Sequence, residues 1–239
     1  MGSTSDPSPS IITVAAEAPV TAERKQNLHL QEQLAKPYVA RALAAVDPAH
    51  PNGTEGHEHH NMSVLQQRAA FFDRNNDGIV YPWETYQGFR AVGFGVLTSI
   101  LGGFLINLGL SYRSQPSWIP SPVLSIHIKN IHRCKHGSDT ESYDTEGRFE
   151  PSKFDAIFSK YALTQPDALT SEEISTMLQV NRNLLDFIGW VASIAEWRLL
   201  YQIGKDEDGL LHKETIRGAF DGSLFERLEK DRASRTKIV

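Results

Sequence analysis

Residues 73–84 read Asp73-Arg-Asn-Asn-Asp-Gly-Ile-Val-Tyr-Pro-Trp-Glu84, with side-chain oxygens at Asp73, Asn75 and Asp77 and a carboxylate at the twelfth position. That is the spacing of an EF-hand loop. Calcium is a hard cation that takes roughly six to eight oxygens in a flexible cage. Asp73, Asn75 and Asp77 supply the first three, Gly78 allows the sharp turn, and the Ile79 carbonyl adds another. Glu84 closes the site with both carboxylate oxygens, while Tyr81 serves through its backbone or a water. Pro82 suits the first turn of an outgoing helix, where its missing N–H costs nothing. Two further turns keep the glycine but lose the closing acid. Tyr143–Phe149 holds Gly147 but has Lys153 in the closing place, and Lys205–Leu211 holds Gly209 but has Thr215. Both are predicted to be EF-like turns without metal.

Five of the nine histidines fall in two groups. His57, His59 and His60 fall among Pro51, Asn52, Gly53 and Gly56, and fit a solvated loop with no spacing that demands a metal. His132 and His136 are four residues apart, so on a helix they share one face.

The elements that position these residues are legible in part. Ser63 followed by Gln66 is a capping box, which predicts a helix from Val64 to about Phe72 leading into the calcium loop. Downstream the composition changes sharply. Thr85–Ser138 is a window of 54 residues with no Asp or Glu, in a chain with 29 of them. Within it, Ala91–Tyr112 is a run of 22 residues without charge, bracketed by Arg90 and Arg113. As one helix it would span about 33 Å, enough for a hydrocarbon core of roughly 30 Å. Four-residue steps give Gly95, Ser99, Gly103, Asn107 and Ser111, a small or polar stripe of the kind that lets helices approach closely. Pro116, Pro120 and Pro122 then stop the helix and turn the chain. Tyr112 and Trp118 suit a membrane interface, and Lys129, Arg133 and Lys135 form a basic strip for headgroups. A hairpin that dips into the membrane and returns would keep both flanks on one side, and a spanning helix is the alternative.

In the last third, Thr170 with Glu173 opens another capped helix through Ile174, Met177 and Leu178. Leu184–Ile203 is apolar but carries Asp186, Glu196 and Arg198, which predicts core packing, with the lining of a lipid or cofactor pocket as the alternative. The predicted fold is mainly α: an EF-hand-like body with one membrane-inserted segment ending in a proline knot. Its parts are a flexible region with short helices at 1–60, the EF-hand at 61–90, and the apolar segment and proline knot at 91–125. A mainly helical region at 126–228 and a charged, flexible tail at 229–239 complete the chain.

Composition removes several classes. One cysteine, Cys134, makes no internal disulfide. A net charge of -5 gives no basic footprint for nucleic acid. The first 30 residues lack the apolar core of a signal peptide, and Asp6 departs from the myristoylation pattern.

Several motifs in one order resemble the caleosin family over roughly residues 35–228. They are the loop ending in Tyr81-Pro-Trp-Glu-Thr-Tyr86, the uncharged segment, Pro116-Ser-Trp-Ile-Pro-Ser-Pro122 and Asn130-Ile-His132. Lys135-His-Gly-Ser-Asp139, Tyr143-Asp-Thr-Glu-Gly-Arg-Phe149 and Phe220-Asp-Gly-Ser-Leu-Phe225 follow. The resemblance implies a plant-type calcium-binding protein of lipid droplets and the endoplasmic reticulum membrane, its calcium loop facing the cytosol. It also implies haem b and a peroxygenase that moves one oxygen from a fatty-acid hydroperoxide to an unsaturated fatty acid or other lipid; self-association is compatible with it. The family's two haem-ligating histidines map onto His136 and onto Arg68, which follows Leu65-Gln-Gln67. Arginine has no lone pair for iron. His132 is a weaker candidate ligand, and the loop histidines 57, 59 and 60 are others. Two outcomes stay open. In one, His136 anchors the haem and Arg68 stands opposite as a hydrogen-bond donor to peroxide. In the other, haem is lost and the protein is a calcium-responsive droplet coat or adaptor.

Overall fold

The computed structural model describes residues 43–236. The N-terminal tail and most of the short helices expected between residues 22 and 45 lie outside them. The described chain is mainly helical. Helix α1 (Val64–Ala70) leads through strand β1 (Ile79–Val80) to α2 (Pro82–Val92) and α3 (Val96–Ser114). Strand β2 (Ile126–His127) and a 3-10 helix (Ile128–Cys134) follow, then α4 (Pro151–Tyr161), β3 (Ala168–Leu169) and α5 (Ser171–Val180). Helix α6 (Phe187–Gly204), β4 (Leu211–His212), α7 (Lys213–Asp221) and α8 (Ser223–Thr236) complete it, α8 reaching through most of the charged tail.

The local signals act where they stand. Gln66 N–H donates to the Ser63 hydroxyl at 3.4 Å while Ser63 N–H donates to Gln66 Oε1 at 2.9 Å, and Thr170 with Glu173 repeats the motif. Pro82 begins α2 as predicted.

The two strand pairs organise the body into helix–loop–helix units. β1 pairs antiparallel with β2, Ile79 opposite His127 and Val80 opposite Ile126. β3 pairs with β4, so the α4–α5 and α6–α7 hairpins face each other across a two-residue ladder. Three apolar clusters fill the spaces. One gathers Phe149, Phe154, Leu169, Met177, Leu211 and Phe220. A second joins α2 to α8 through Phe89, Val92, Leu224 and Phe225, and a third lies under β1 and β2 with Ile131 and Cys134. Arg217, 2% exposed, ties α7 to the loop that precedes α1 through Asp47, Thr54 and the Ala45 carbonyl. A buried cation held by that many oxygens fixes the register of the loop.

The uncharged run is not one helix, which corrects the 22-residue reading. Gly93 takes φ 114° after α2, and Phe94 N–H donates to the Phe89 carbonyl, a glycine helix stop that separates α2 from α3. The small-residue stripe of α3 faces the protein. Ser99 and Asn107 are fully buried, and a Cβ added at Gly103 would lie 2.6 Å from the Pro82 carbonyl oxygen, so the α2 and α3 backbones meet there. Asn107 Nδ2 donates to the Val80 and Leu124 carbonyls, both at 2.9 Å, and its Oδ1 accepts from Thr85 Oγ1 at 2.6 Å. The opposite face of α3 is apolar and outward, with Leu97, Leu101, Phe104, Leu105 and Leu108 exposed. This helix is polar inside and apolar outside, the reverse of a soluble surface helix. Among the described residues it is the one helix long and apolar enough to cross a membrane.

After α3 the chain reverses through an irregular loop in which Pro116, Pro120 and Pro122 are exposed. Gln115 Nε2 donates across the base of the loop to the Ser125 carbonyl at 2.8 Å. The reversal returns the chain to β1 and thus to the predicted calcium loop.

Candidate functional site

The loop at 73–84 wraps its acids around its own backbone. Asp73 Oδ2 accepts from Gly78 N–H at 2.7 Å, Asp73 Oδ1 from Asp77 N–H at 3.2 Å, and Asp77 Oδ1 from Ile79 N–H at 2.8 Å. Gly78 has φ 83°, the left-handed conformation that glycine adopts without a Cβ clash. Glu84, 2% exposed, accepts from Arg74 N–H at 3.2 Å and Tyr81 N–H at 3.0 Å. Its two oxygens are thereby turned onto the backbone. Among the described residues no three His, Cys, Asp or Glu side chains form a cluster ready for a metal.

The loop differs from its two relatives in what meets the carboxylates. In the 143–149 turn the Arg148 guanidinium lies on Asp144 at 2.5 Å and 3.4 Å from Glu146. In the 205–211 turn His212 Nε2 lies 2.7 Å from Asp206. There a side chain of the protein occupies the place of a cation. At Asp73, Asp77 and Glu84 no Lys, Arg or His forms an ion pair among the described residues. Three carboxylates, an amide and a carbonyl make an oxygen-only donor set, which fits a hard cation.

A second feature lies beneath. A half-open cavity of about 250 Å³ is walled mainly by apolar side chains from α1, α2, α3, α6, α7 and α8, including Leu65, Phe89, Ile106, Trp197, Leu200 and Phe225. Arg68 and His136 both line it. Arg68 Nη2 donates to Glu196 Oε2 at 3.4 Å. Tyr143 stands beside Arg68 and donates its hydroxyl to the Phe220 carbonyl. Burial pushes that phenol well above the ordinary tyrosine range, more than the Arg68 guanidinium pulls it down, so it is a neutral donor. Burial likewise pushes the Cys134 thiol up to about 11, against a smaller opposing pull from Arg113, so Cys134 faces the cavity as a thiol.

His136 lies beyond the end of the 3-10 helix, which corrects the helical spacing assumed for His132 and His136. Its Nδ1 is buried without a hydrogen bond, with Asp186 Oδ2 at 3.6 Å. His132 does not reach the cavity, and neither do the loop histidines. His57 instead meets Gln67 Oε1 at 3.0 Å, and His59 accepts from Asn61 N–H at 3.1 Å. Among the described residues His136 is thus the one histidine on the cavity. The donor set fits a haem held by a single histidine, with a guanidinium and a phenol elsewhere on the walls.

Tyr143, Glu196 and Asp186 were not singled out from the sequence as site residues. Tyr143 stood at the head of a turn motif, and the two acids read as evidence that their segment was amphipathic. The Leu184–Ile203 segment divides in the structure. Ser193, Trp197, Leu200 and Ile203 line the cavity, whereas the residues before Val191 are largely exposed.

The fold and cavity define a helical protein with an apolar cavity, an acidic loop whose Val80 reaches one wall, and an outward-facing apolar helix. The chain belongs to the caleosin family, whose model, described as caleosin related protein, matches residues 60–229. It is 52% identical over 179 residues to the probable peroxygenase 4 of Arabidopsis thaliana, covering 73% of this chain and 89% of that one. It is 43% identical over 148 residues to a probable inactive peroxygenase-like protein of the same plant, covering 62% of this chain and 71% of the relative. No solved structure matches the chain.

Proposed function

We propose that the protein is a calcium-binding haem peroxygenase of lipid-droplet and endoplasmic reticulum surfaces, acting on fatty-acid hydroperoxides and unsaturated fatty acids. The observation that carries this reading is that Arg68 and His136, 68 residues apart in sequence, line one apolar cavity. In the net reaction the hydroperoxide leaves as an alcohol and the acceptor's double bond gains its oxygen as an epoxide. Haem b, when bound, supplies the oxygen-transfer chemistry. His136 would hold it, with Asp186 beside the second ring nitrogen to orient the imidazole. The Arg68 guanidinium would hold the peroxide oxygen and favour charge separation in its O–O bond. The apolar walls would take acyl chains and exclude water.

Asp73, Asn75, Asp77, the Ile79 carbonyl and Glu84 would hold calcium, with Glu84 leaving its backbone contacts. Val80 in β1 and Thr85, next to Glu84, both line the cavity, so an ion in the loop would stiffen one cavity wall. The outward face of α3, with the proline loop at its end, would contact the phospholipid monolayer, and the calcium loop would face the cytosol.

Incubation with oleic acid and a fatty-acid hydroperoxide should give the epoxide. A second reading, a calcium-responsive coat or adaptor without haem, is favoured by Arg68 in the place of a ligating histidine. No product with calcium binding intact would select it. The lipid contact has its own test. Leu101→Glu with Leu105→Glu places two charges on the outward face of α3 and touches none of its buried stripe. The folded variant should lose flotation with artificial lipid droplets, and unchanged flotation would move the anchor elsewhere.

A further inference from the structure

The segment joining α5 to α6 and the first turns of α6 present apolar side chains that the fold leaves uncovered. Leu184 is 76% exposed, Leu185 98%, Phe187 67% and Ile188 78%. They are held in that position. Asp186 Oδ1 caps Gly189 N–H at 3.0 Å, Asn183 Oδ1 accepts from Leu185 N–H at 3.0 Å, and the Trp190 indole N–H donates to the Leu178 carbonyl at 3.1 Å. The polar side chains of the tip are used in fixing it, and the apolar ones point to solvent.

We propose that residues 182–191 form a second lipid-inserting element, which seats the His136 end of the cavity on a phospholipid surface. Three observations select lipid as the occupant. The tip is joined to the His136 segment: Ser138 N–H donates to Asp186 Oδ2 and Asn183 N–H to Ser138 Oγ, both at 3.1 Å. That segment continues the 3-10 helix, which is bonded in turn to α3 by Cys134 Sγ to the Leu110 carbonyl at 3.4 Å. The tip is therefore connected through one short element to the helix read above as lipid-facing, and the proposal rests on that reading. Charge points the same way. Asp186 is the sole acid between residues 181 and 195 and is turned against Ser138, while Arg182 stacks on Trp190 with its guanidinium 5.2 Å from the ring. A cation and an indole at the edge of an apolar tip match the boundary between headgroups and acyl chains. Finally, α6 carries the tip at one end and the cavity-lining Ser193, Trp197 and Leu200 further along, so one helix joins the tip to the cavity wall.

The test uses the full chain with Cys134→Ser, which leaves no native thiol and keeps a donor for the Leu110 carbonyl. Leu185→Cys and, separately, Leu101→Cys on α3 are labelled with an environment-sensitive nitrobenzoxadiazole dye and mixed with phosphatidylcholine–phosphatidylserine vesicles. Both sites are exposed, so labelling leaves the core intact, and circular dichroism checks the fold. A blue shift and intensity rise at both positions is the expected result. A shift at 101 with none at 185 overturns the proposal and leaves α3 as the lipid contact. No shift at either position means that the lipid reading of α3 fails, and the proposal with it. A shift at 185 that needs no vesicles and follows protein concentration means that the tip covers another copy of the chain, which also overturns it.

Discussion

Replacing Arg68 with alanine is expected to lower oxygen transfer from a fatty-acid hydroperoxide by about 10²–10³-fold, the usual loss when one preorganised donor to a developing negative charge is removed. The expectation follows from position. The guanidinium lies on the cavity that also holds His136, stays charged, and is kept in place by Glu196 at 3.4 Å. Burial alone would lower its proton affinity, and the Tyr143 and Glu196 oxygens beside it more than offset that, raising it. The change should leave the fold intact, because Glu196 is half-exposed and is rehydrated when its partner goes. Arg68→His is the sharper variant. If Arg68 is a useful hydrogen-bond donor, histidine there lowers activity. A rise would mark Arg68 as the remnant of a lost iron ligand. Initial rates of epoxide formation, measured at equal haem loading, separate the two.

Glu84→Gln is expected to weaken calcium binding at least tenfold, about 1.4 kcal/mol. The closing carboxylate would supply two charge-bearing oxygens to the ion, whereas the amide keeps one oxygen and no charge. The helix start survives, since a glutamine carbonyl can still accept from Tyr81 N–H and Pro82 still fixes the first turn. Titration calorimetry reads the affinity directly. Unchanged calcium affinity would mean that the ion, if bound, is held by other groups.

Features set by neighbours in sequence were legible. The Ser63–Gln66 and Thr170–Glu173 boxes, Pro82 at the head of α2 and the glycine turns at 78, 147 and 209 each depend on a few adjacent residues, and the structure places them as read. The small stripe of α3 was legible as a packing face, because residues four apart share one side of a helix. Its partner was not: the stripe lies on α2 of the same chain, through Gly103 and Asn107. The break at Gly93–Gly95 was hidden because glycine is also tolerated within apolar helices of membranes. The loop opposite the 205–211 turn escaped notice because Thr164-Gln-Pro-Asp-Ala168 lacks the diagnostic glycine, and only its ladder with β4 reveals it. The cavity was beyond local reading. Its walls come from six α-helices, and Tyr143, Glu196 and Asp186 acquire a role only when the fold brings them to Arg68 and His136.

Haem titration of the purified protein, followed by absorbance and run beside His136→Ala, tests the central claim most directly. His136 is the one cavity histidine among the described residues, so the native chain should develop a saturable Soret band. The alanine variant should lose it, or recover it only with added imidazole. A native chain that binds no haem, or a variant that binds it with an unaltered spectrum, would contradict the assignment of His136 as the ligand.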